Sequence, residues 1–176
     1  MSAYHVYENA PLGSLIRFSD GTPRPSDENS REFEAWRKRN GSGLLARRTP
    51  SPELRSWAPP ASITLRHLDP DRPAPAGSEL LLTFSVDSDL RFEIIERPAF
   101  GTSRVRRGEH DEFELLDMAS SLADTERYLS LYPSGGLLIE QATADERAAD
   151  AVEGRSRSVR AAVARRISRA DRPRAD

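Results

Sequence analysis

Apolar and polar positions alternate along much of this chain, and the alternation predicts strands more often than helices. Tyr4 to Glu8 alternates aromatic and polar types and predicts a strand. Asn9 to Gly13 supplies turn residues, and Ser14 to Phe18 predicts a second strand pairing back on the first. Ile63 to Leu68 alternates again. Glu79 to Val86 places Leu80, Leu82, Phe84 and Val86 on one face, while Leu90 to Glu96 does the same with Leu90, Phe92 and Ile94. Across Asp87-Ser88-Asp89 these two runs predict a hairpin. Thr102 to Arg107 and Glu112 to Asp117, flanking Gly108 to Asp111, predict another, and Leu44 to Arg48 a short strand.

Helices are predicted where the period lengthens. Ser26, followed by Asp27 and Glu28, combines a capping hydroxyl with acids at the positive end of the dipole, so a helix is expected to run to about Asn40 with Phe33 and Trp36 buried. Asn40-Gly41 is expected to stop it as a left-handed cap. Ser121 with Asp124 three residues on marks a second start, and Pro133 to Gly136 ends that helix. Leu137 to Gln141 then predicts a strand, with enough chain after Glu112–Asp117 to run parallel to it. Thr143 and Glu146 form the sequence of a capping box for a last helix.

These elements predict a single-domain α+β protein: a mainly antiparallel sheet, two or three helices and a basic C-terminal extension. The body spans residues 1–153 and carries proline-rich connectors at 49–60 and 69–78. The extension is residues 154–176, partly helical or disordered, with Val159, Val163 and Ile167 on one helical face.

Charge sharpens this division. Residues 151–176 hold eight arginines against three acids, whereas residues 1–150 hold eighteen basic and twenty-five acidic side chains. The body is therefore near −7 and the tail +5. A basic end on an acidic body serves to touch something anionic or to dock on its own chain. Arg155, Arg157, Arg160, Arg165 and Arg166 are the tail candidates, since a guanidinium pairs in bidentate fashion with phosphate or carboxylate. No aromatic residue follows Tyr132, so the expectation is phosphate contact without base stacking. A second basic cluster comprises Arg37, Lys38 and Arg39, with Arg47 and Arg48 further on and Trp36 adjacent. Basic residues in a last helical turn also satisfy the helix dipole without any partner.

The stiff polar loop Ser19 to Pro25 is the remaining candidate. Binding residues often occupy such loops, and Arg17, Asp20, Arg24 and Trp36 are its candidate side chains. The bland reading is an ordinary turn, with Asp-Gly for geometry and prolines for stiffness.

Known chemistries find little support. Cysteine is absent, which excludes disulfides, thiolate metal sites and cysteine nucleophiles. His5, His67 and His110 show no metal-ligand spacing. Gly41-Ser42-Gly43 and Ser134-Gly135-Gly136 follow helices rather than precede them, so they read as helix terminators and not as phosphate loops. Glu112 and Glu114 alternate with Phe113 and Leu115, as on the solvent face of a strand. No catalytic residue, metal or cofactor is predicted. No apolar run approaches a membrane span, and Met1 to His5 lacks the pattern of an export signal.

The expectation is a non-catalytic cytoplasmic binding protein whose partner is nucleic acid or an acidic protein surface. A composition rich in Ala, Pro and Arg, with Lys38 as the only lysine, points to a bacterial or mobile-element source. The alternatives are a protein-binding inhibitor or adaptor using the acidic sheet face and the Trp36 region, and an enzyme with a site near Arg17 and Asp20.

Overall fold

A computed structural model describes residues 1–52, 58–68, 80–109, 112–131, 136–146 and 148. Much of the two connectors, His110 and Asp111, Pro133 to Gly135 of the expected helix end, most of the expected last helix and the whole arginine-rich extension lie outside the described residues. In chain order the elements are α1 (Ala3–Asn9), β1 (Leu15–Ser19), α2 (Arg31–Arg39), β2 (Gly41–Thr49), β3 (Ser62–His67), β4 (Leu81–Ser85), β5 (Arg91–Glu96), β6 (Ser103–Glu109), β7 (Glu112–Ala119), α3 (Leu122–Leu131) and β8 (Leu137–Gln141). Residues 144–146 are also helical. The fold is mixed, and among the described residues every strand pairing is antiparallel.

The sheet branches at β2. One edge of β2 pairs with β3, which pairs with β4. Its other edge is shared: β1 takes Gly41 to Leu44, and β7 joins at Arg47, opposite Glu114. A register shift between Leu45 and Arg47 marks the changeover, as an extra residue bends a strand and redirects the residues beyond it. From β1 the order continues to β5, and from β7 through β6 to β8.

The half built from β5, β1, β2, β3 and β4 curls on itself. Phe84 on β4 and Phe92 on β5 come from opposite ends of this strand order, yet their rings meet edge to face at 5.4 Å. Within the curl lie Ile16, Phe18, Leu45, Ile63, Leu65, Phe92 and Ile94, all at most 2% exposed. Helix α1 packs against β3 and β5 and adds Ala3, Val6 and Ala10 to the same core. Helix α3 lies on β6 and β7, with its own Thr125 fully buried.

Several expectations are corrected here. Tyr4 to Glu8 is helical, not a strand. Ser2 caps α1 by accepting from the His5 amide at 3.3 Å, and the i, i+3, i+7 spacing of Ala3, Val6 and Ala10 supplies the buried face. β1 therefore has no first strand to pair back on. Helix α2 starts later than Ser26: Asp27 to Ser30 form a turn, and the Ser30 hydroxyl accepts from the Phe33 amide at 3.0 Å. Asn40 is not a left-handed cap, because its φ of −137° is extended and the chain passes straight into β2. Gly41 to Gly43 are accordingly strand residues. A Cβ on Gly43 would lie 2.6 Å from the Arg66 carbonyl oxygen, so the glycine permits a close approach of β2 and β3.

The β4–β5 hairpin does not form. β4 pairs with β3 and β5 with β1. Ser85 and Ser88 hydroxyls accept from the Asp87 and Leu90 amides, and this loop carries the chain across the core rather than back along β4. The β6–β7 hairpin forms as expected. β8 runs parallel to β7 but does not touch it, since β6 lies between and is antiparallel to both. Both later helix starts are seen: Ser121 and Asp124 cap each other, and Thr143 and Glu146 make the reciprocal bonds of a capping box. Among the described residues no helix is long and apolar enough to cross a membrane.

Candidate functional site

Strand alternation places Arg17 and Ser19 on the solvent face of β1, with Ile16 and Phe18 turned inward. In β5 the same alternation exposes Arg91 and Glu93 and buries Phe92 and Ile94. Pairing sets Arg17 opposite Glu93 and Ser19 opposite Arg91. The Arg17 guanidinium meets the Glu93 carboxylate at 3.3 Å, and both side chains are more than half exposed. Met1 pairs with the outer edge of β5, exchanging main-chain hydrogen bonds of 2.9 and 2.8 Å with Phe92. Met1, Arg17, Ser19, Arg91, Phe92 and Glu93 line an open cleft of about 270 Å³.

Beside the cleft, the Ser19 to Thr22 loop is locked to the α2–β2 junction. Asn40, only 4% exposed, accepts from the Ser19 hydroxyl at 2.7 Å and the Asp20 amide at 3.2 Å. Its Nδ2 donates to Asp20 and to the Trp36 carbonyl, both at 3.0 Å. Asp20 also accepts from the Thr22 hydroxyl at 2.6 Å, the Thr22 amide at 3.0 Å and Arg39 Nε at 3.2 Å. The Thr22 bonds first, then Asn40 and Arg39, hold the Asp20 carboxyl well below its ordinary value of 3.8. Arg39 bonds Asp89 at 2.6 Å, and Asp89 followed by Asp20 raises its pKa. Trp36 donates its indole N–H to the Thr22 carbonyl and stacks on Phe33, over which Arg24 sits at 5.2 Å.

The structure therefore brings together Asp20, Arg24, Trp36 and Arg39, and leaves Arg17 to the separate cleft, which Asp20 does not line. A carboxylate so thoroughly hydrogen-bonded is a poor proton acceptor. Its role here is to fix the loop. Replacing Asp20 with Asn is expected to reduce stability most at neutral pH. A depressed folded-state pKa stabilises fully above the unfolded value of 3.8 and loses that contribution as pH falls below it. The gap between parent and D20N in urea midpoint is expected to be constant above about pH 5 and to narrow steadily in acid.

Arg47 and Arg48 do not join this patch. They lie at the other end of β2, roughly 25 Å along the strand from Asn40 at about 3.3 Å per residue. Arg47 is exposed and stands opposite Glu114, which ion-pairs with Arg107 at 3.0 Å. Arg48 turns inward and donates to the Tyr7 carbonyl at 3.1 Å. Three further arginines are used this way. Arg97 donates to the Asn9 carbonyl, Arg66 to the Leu115 and Leu116 carbonyls, and Arg104 to the Leu12 carbonyl. Tyr7 and Asn9 lie at the C-terminal end of α1, where carbonyls lack helical partners and a cation is favoured. No basic residue occupies the last turn of α1, so strand residues and their neighbours supply the cations instead.

Sequence reasoning missed Arg91, Glu93, Asp89 and Asn40. Arg91 and Glu93 were visible as the polar phase of Leu90 to Glu96, but the false hairpin partner hid their pairing with β1.

A curled antiparallel sheet with short helices and a cationic cleft at its β1–β5 edge defines a mixed α+β protein. Residues 1–146 match a family described as Uncharacterised conserved protein UCP036055, and the chain belongs to that family. The match ends at Glu146, before the arginine-rich extension. No curated protein and no solved structure matches the chain.

Proposed function

We propose that this is a non-catalytic binding protein, cytosolic and of bacterial or mobile-element origin, that contacts an anionic macromolecule, with nucleic-acid phosphate as the favoured contact. The separation of charge supports this reading: eight arginines lie within the last 26 residues of a chain whose other 150 are acidic overall. Arg91 and Arg47 stay on the surface and remain available to an anion, whereas Arg48, Arg66, Arg97 and Arg104 are spent on main-chain carbonyls and contribute nothing to it.

The test is a salt series of binding to duplex and single-stranded oligonucleotides. It compares the full chain with a variant carrying glutamine at Arg155, Arg157, Arg160, Arg165 and Arg166. For every phosphate that the variant no longer neutralises, the slope of log K against log salt is expected to fall by about 0.9 on duplex and about 0.7 on single strands. Identical, salt-insensitive behaviour of the two proteins would remove the tail from the mechanism. Recovery of a protein partner after nuclease treatment, with no oligonucleotide affinity, would favour the adaptor reading instead.

A further inference from the structure

We infer that the cleft between β1 and β5 is a phosphate-binding subsite, with Arg91 and Arg17 as its two guanidinium donors. The inference rests on the anion-binding reading above and names the group recognised.

Three observations carry it. The first is placement. With Arg17 opposite Glu93 and Ser19 opposite Arg91, the two arginines are diagonal neighbours on one face of a paired ladder, about 7–8 Å apart at the backbone and within reach of one ligand.

The second is availability. Arg91 is exposed and makes no hydrogen bond or ion pair among the described residues, so the fold gives it no task. Among the described residues the only partner of Arg17 is Glu93, in a pair exposed 58% and 57%. Surface pairs of that kind contribute little, so a phosphate group competes with Glu93 for Arg17 at small cost.

The third is the character of the cleft. Its two arginines and one glutamate leave a net positive charge. The Phe92 amide is spent on the Met1 carbonyl and the Ser19 hydroxyl on Asn40, so recognition falls to the guanidinium forks, which match phosphate oxygens in bidentate fashion. A volume of about 270 Å³ exceeds an orthophosphate and leaves room for an ester substituent. The phosphate is then part of a nucleic-acid backbone or of a small phosphate ester, and the cleft chemistry is the same for both.

The experiment uses the full chain and the variants R91E and E93Q. Amide shifts are followed by NMR during titration with inorganic phosphate, and binding of a short single-stranded DNA is measured over a salt series. Phosphate is expected to shift Ser19, Arg91, Phe92 and Glu93 in the parent. R91E is expected to weaken phosphate binding about tenfold or more, as loss of a charge-assisted bond does. E93Q, which removes the competing carboxylate, is expected to strengthen it about twofold. With DNA, R91E is expected to reduce the salt slope by about 0.7.

If phosphate shifts the cleft but DNA binding ignores R91E, the subsite stands and its ligand is a small phosphate ester. If phosphate shifts the cleft and no DNA binds, the subsite again stands while the nucleic-acid reading falls. If DNA binds, R91E leaves it unchanged and phosphate moves none of the four amides, the subsite is overturned and the broader reading survives. Arg91 is exposed and without a structural partner among the described residues, so R91E is expected to keep the parent spectrum elsewhere.

Discussion

Replacing Arg104 with methionine is expected to lower the unfolding free energy by about 3–5 kcal/mol, the usual cost of removing one partner from a buried ion cluster. The Arg104 side chain is 2% exposed although it carries a full charge. One amino group donates to the Leu12 carbonyl at 3.2 Å. The other meets both Glu146 oxygens at 3.0 and 3.1 Å and Glu140 at 3.0 Å. Methionine fills much of the same volume but leaves the Leu12 carbonyl without that donor and two carboxylates short of a cation. Glu140 suffers less, being 40% exposed and also paired with Arg106 at 3.3 Å. Glu146 suffers more, because it also closes the capping box on Thr143 and so couples the sheet to the helical turn at residues 144–146. E146Q keeps one acceptor for the cap and is expected to cost only about 1–2 kcal/mol. The double variant R104M/E146L is expected to recover part of the loss, since fewer unpaired charges then remain beside β6. Urea unfolding with an unchanged m-value measures all three. A value for R104M within about 1 kcal/mol of the parent would mean that Arg104 is better hydrated than its burial shows.

What the sequence made legible was local. Thr143 with Glu146 and Ser121 with Asp124 were readable because each signal and its partner lie three residues apart. The β6–β7 hairpin was readable because its turn lies between its strands. The failures share a different cause. Tyr4 to Glu8 satisfies a two-residue period over five positions, and only Ser2, Ala3 and Ala10 outside that window reveal the helical face. The alternation from Glu79 to Val86 and from Leu90 to Glu96 predicts two strands, found at Leu81–Ser85 and Arg91–Glu96, but their partners are set by the curl of the sheet, which brings Phe84 and Phe92 together without pairing their backbones. The arginines were hardest. An arginine aimed at a carboxylate leaves a trace in sequence charge, whereas Arg48 and Arg97 are aimed at the main-chain carbonyls of Tyr7 and Asn9, and every residue has one of those. Counting charge therefore does not tell which basic residues of the body stay on its surface. It could not rank Arg91, which the fold leaves exposed, above Arg48, which the fold uses.

Phe18→Ala is expected to cost about 3–5 kcal/mol, the range for deleting a buried aromatic ring, and to loosen the cleft as well. Phe18 is 1% exposed, packs its ring on Phe84 at 4.9 Å, and stands opposite both Gly41 on β2 and Phe92 on β5. The ring thus fills the space where strands from both ends of the curl converge. Gly41 records how tightly: a Cβ there would lie 3.0 Å from Phe18 Cζ and 3.1 Å from His67 Cε1. G41A alone is therefore expected to be destabilising. In the F18A background the Phe18 ring is gone and the added methyl enters the vacated space, so the two changes are expected to be non-additive, with the double variant more stable than the sum of the single costs. F18L, which keeps most of the volume, is expected to lose less than F18A. Because Phe18 lies between Arg17 and Ser19 in β1, a cavity beneath the strand shifts the two side chains that face the cleft. F18A is then expected to weaken the phosphate-induced shifts at Ser19 and Arg91, and F18L to preserve them. Additive costs for F18A and G41A would show that β2 is held away from β1 by something other than that ring.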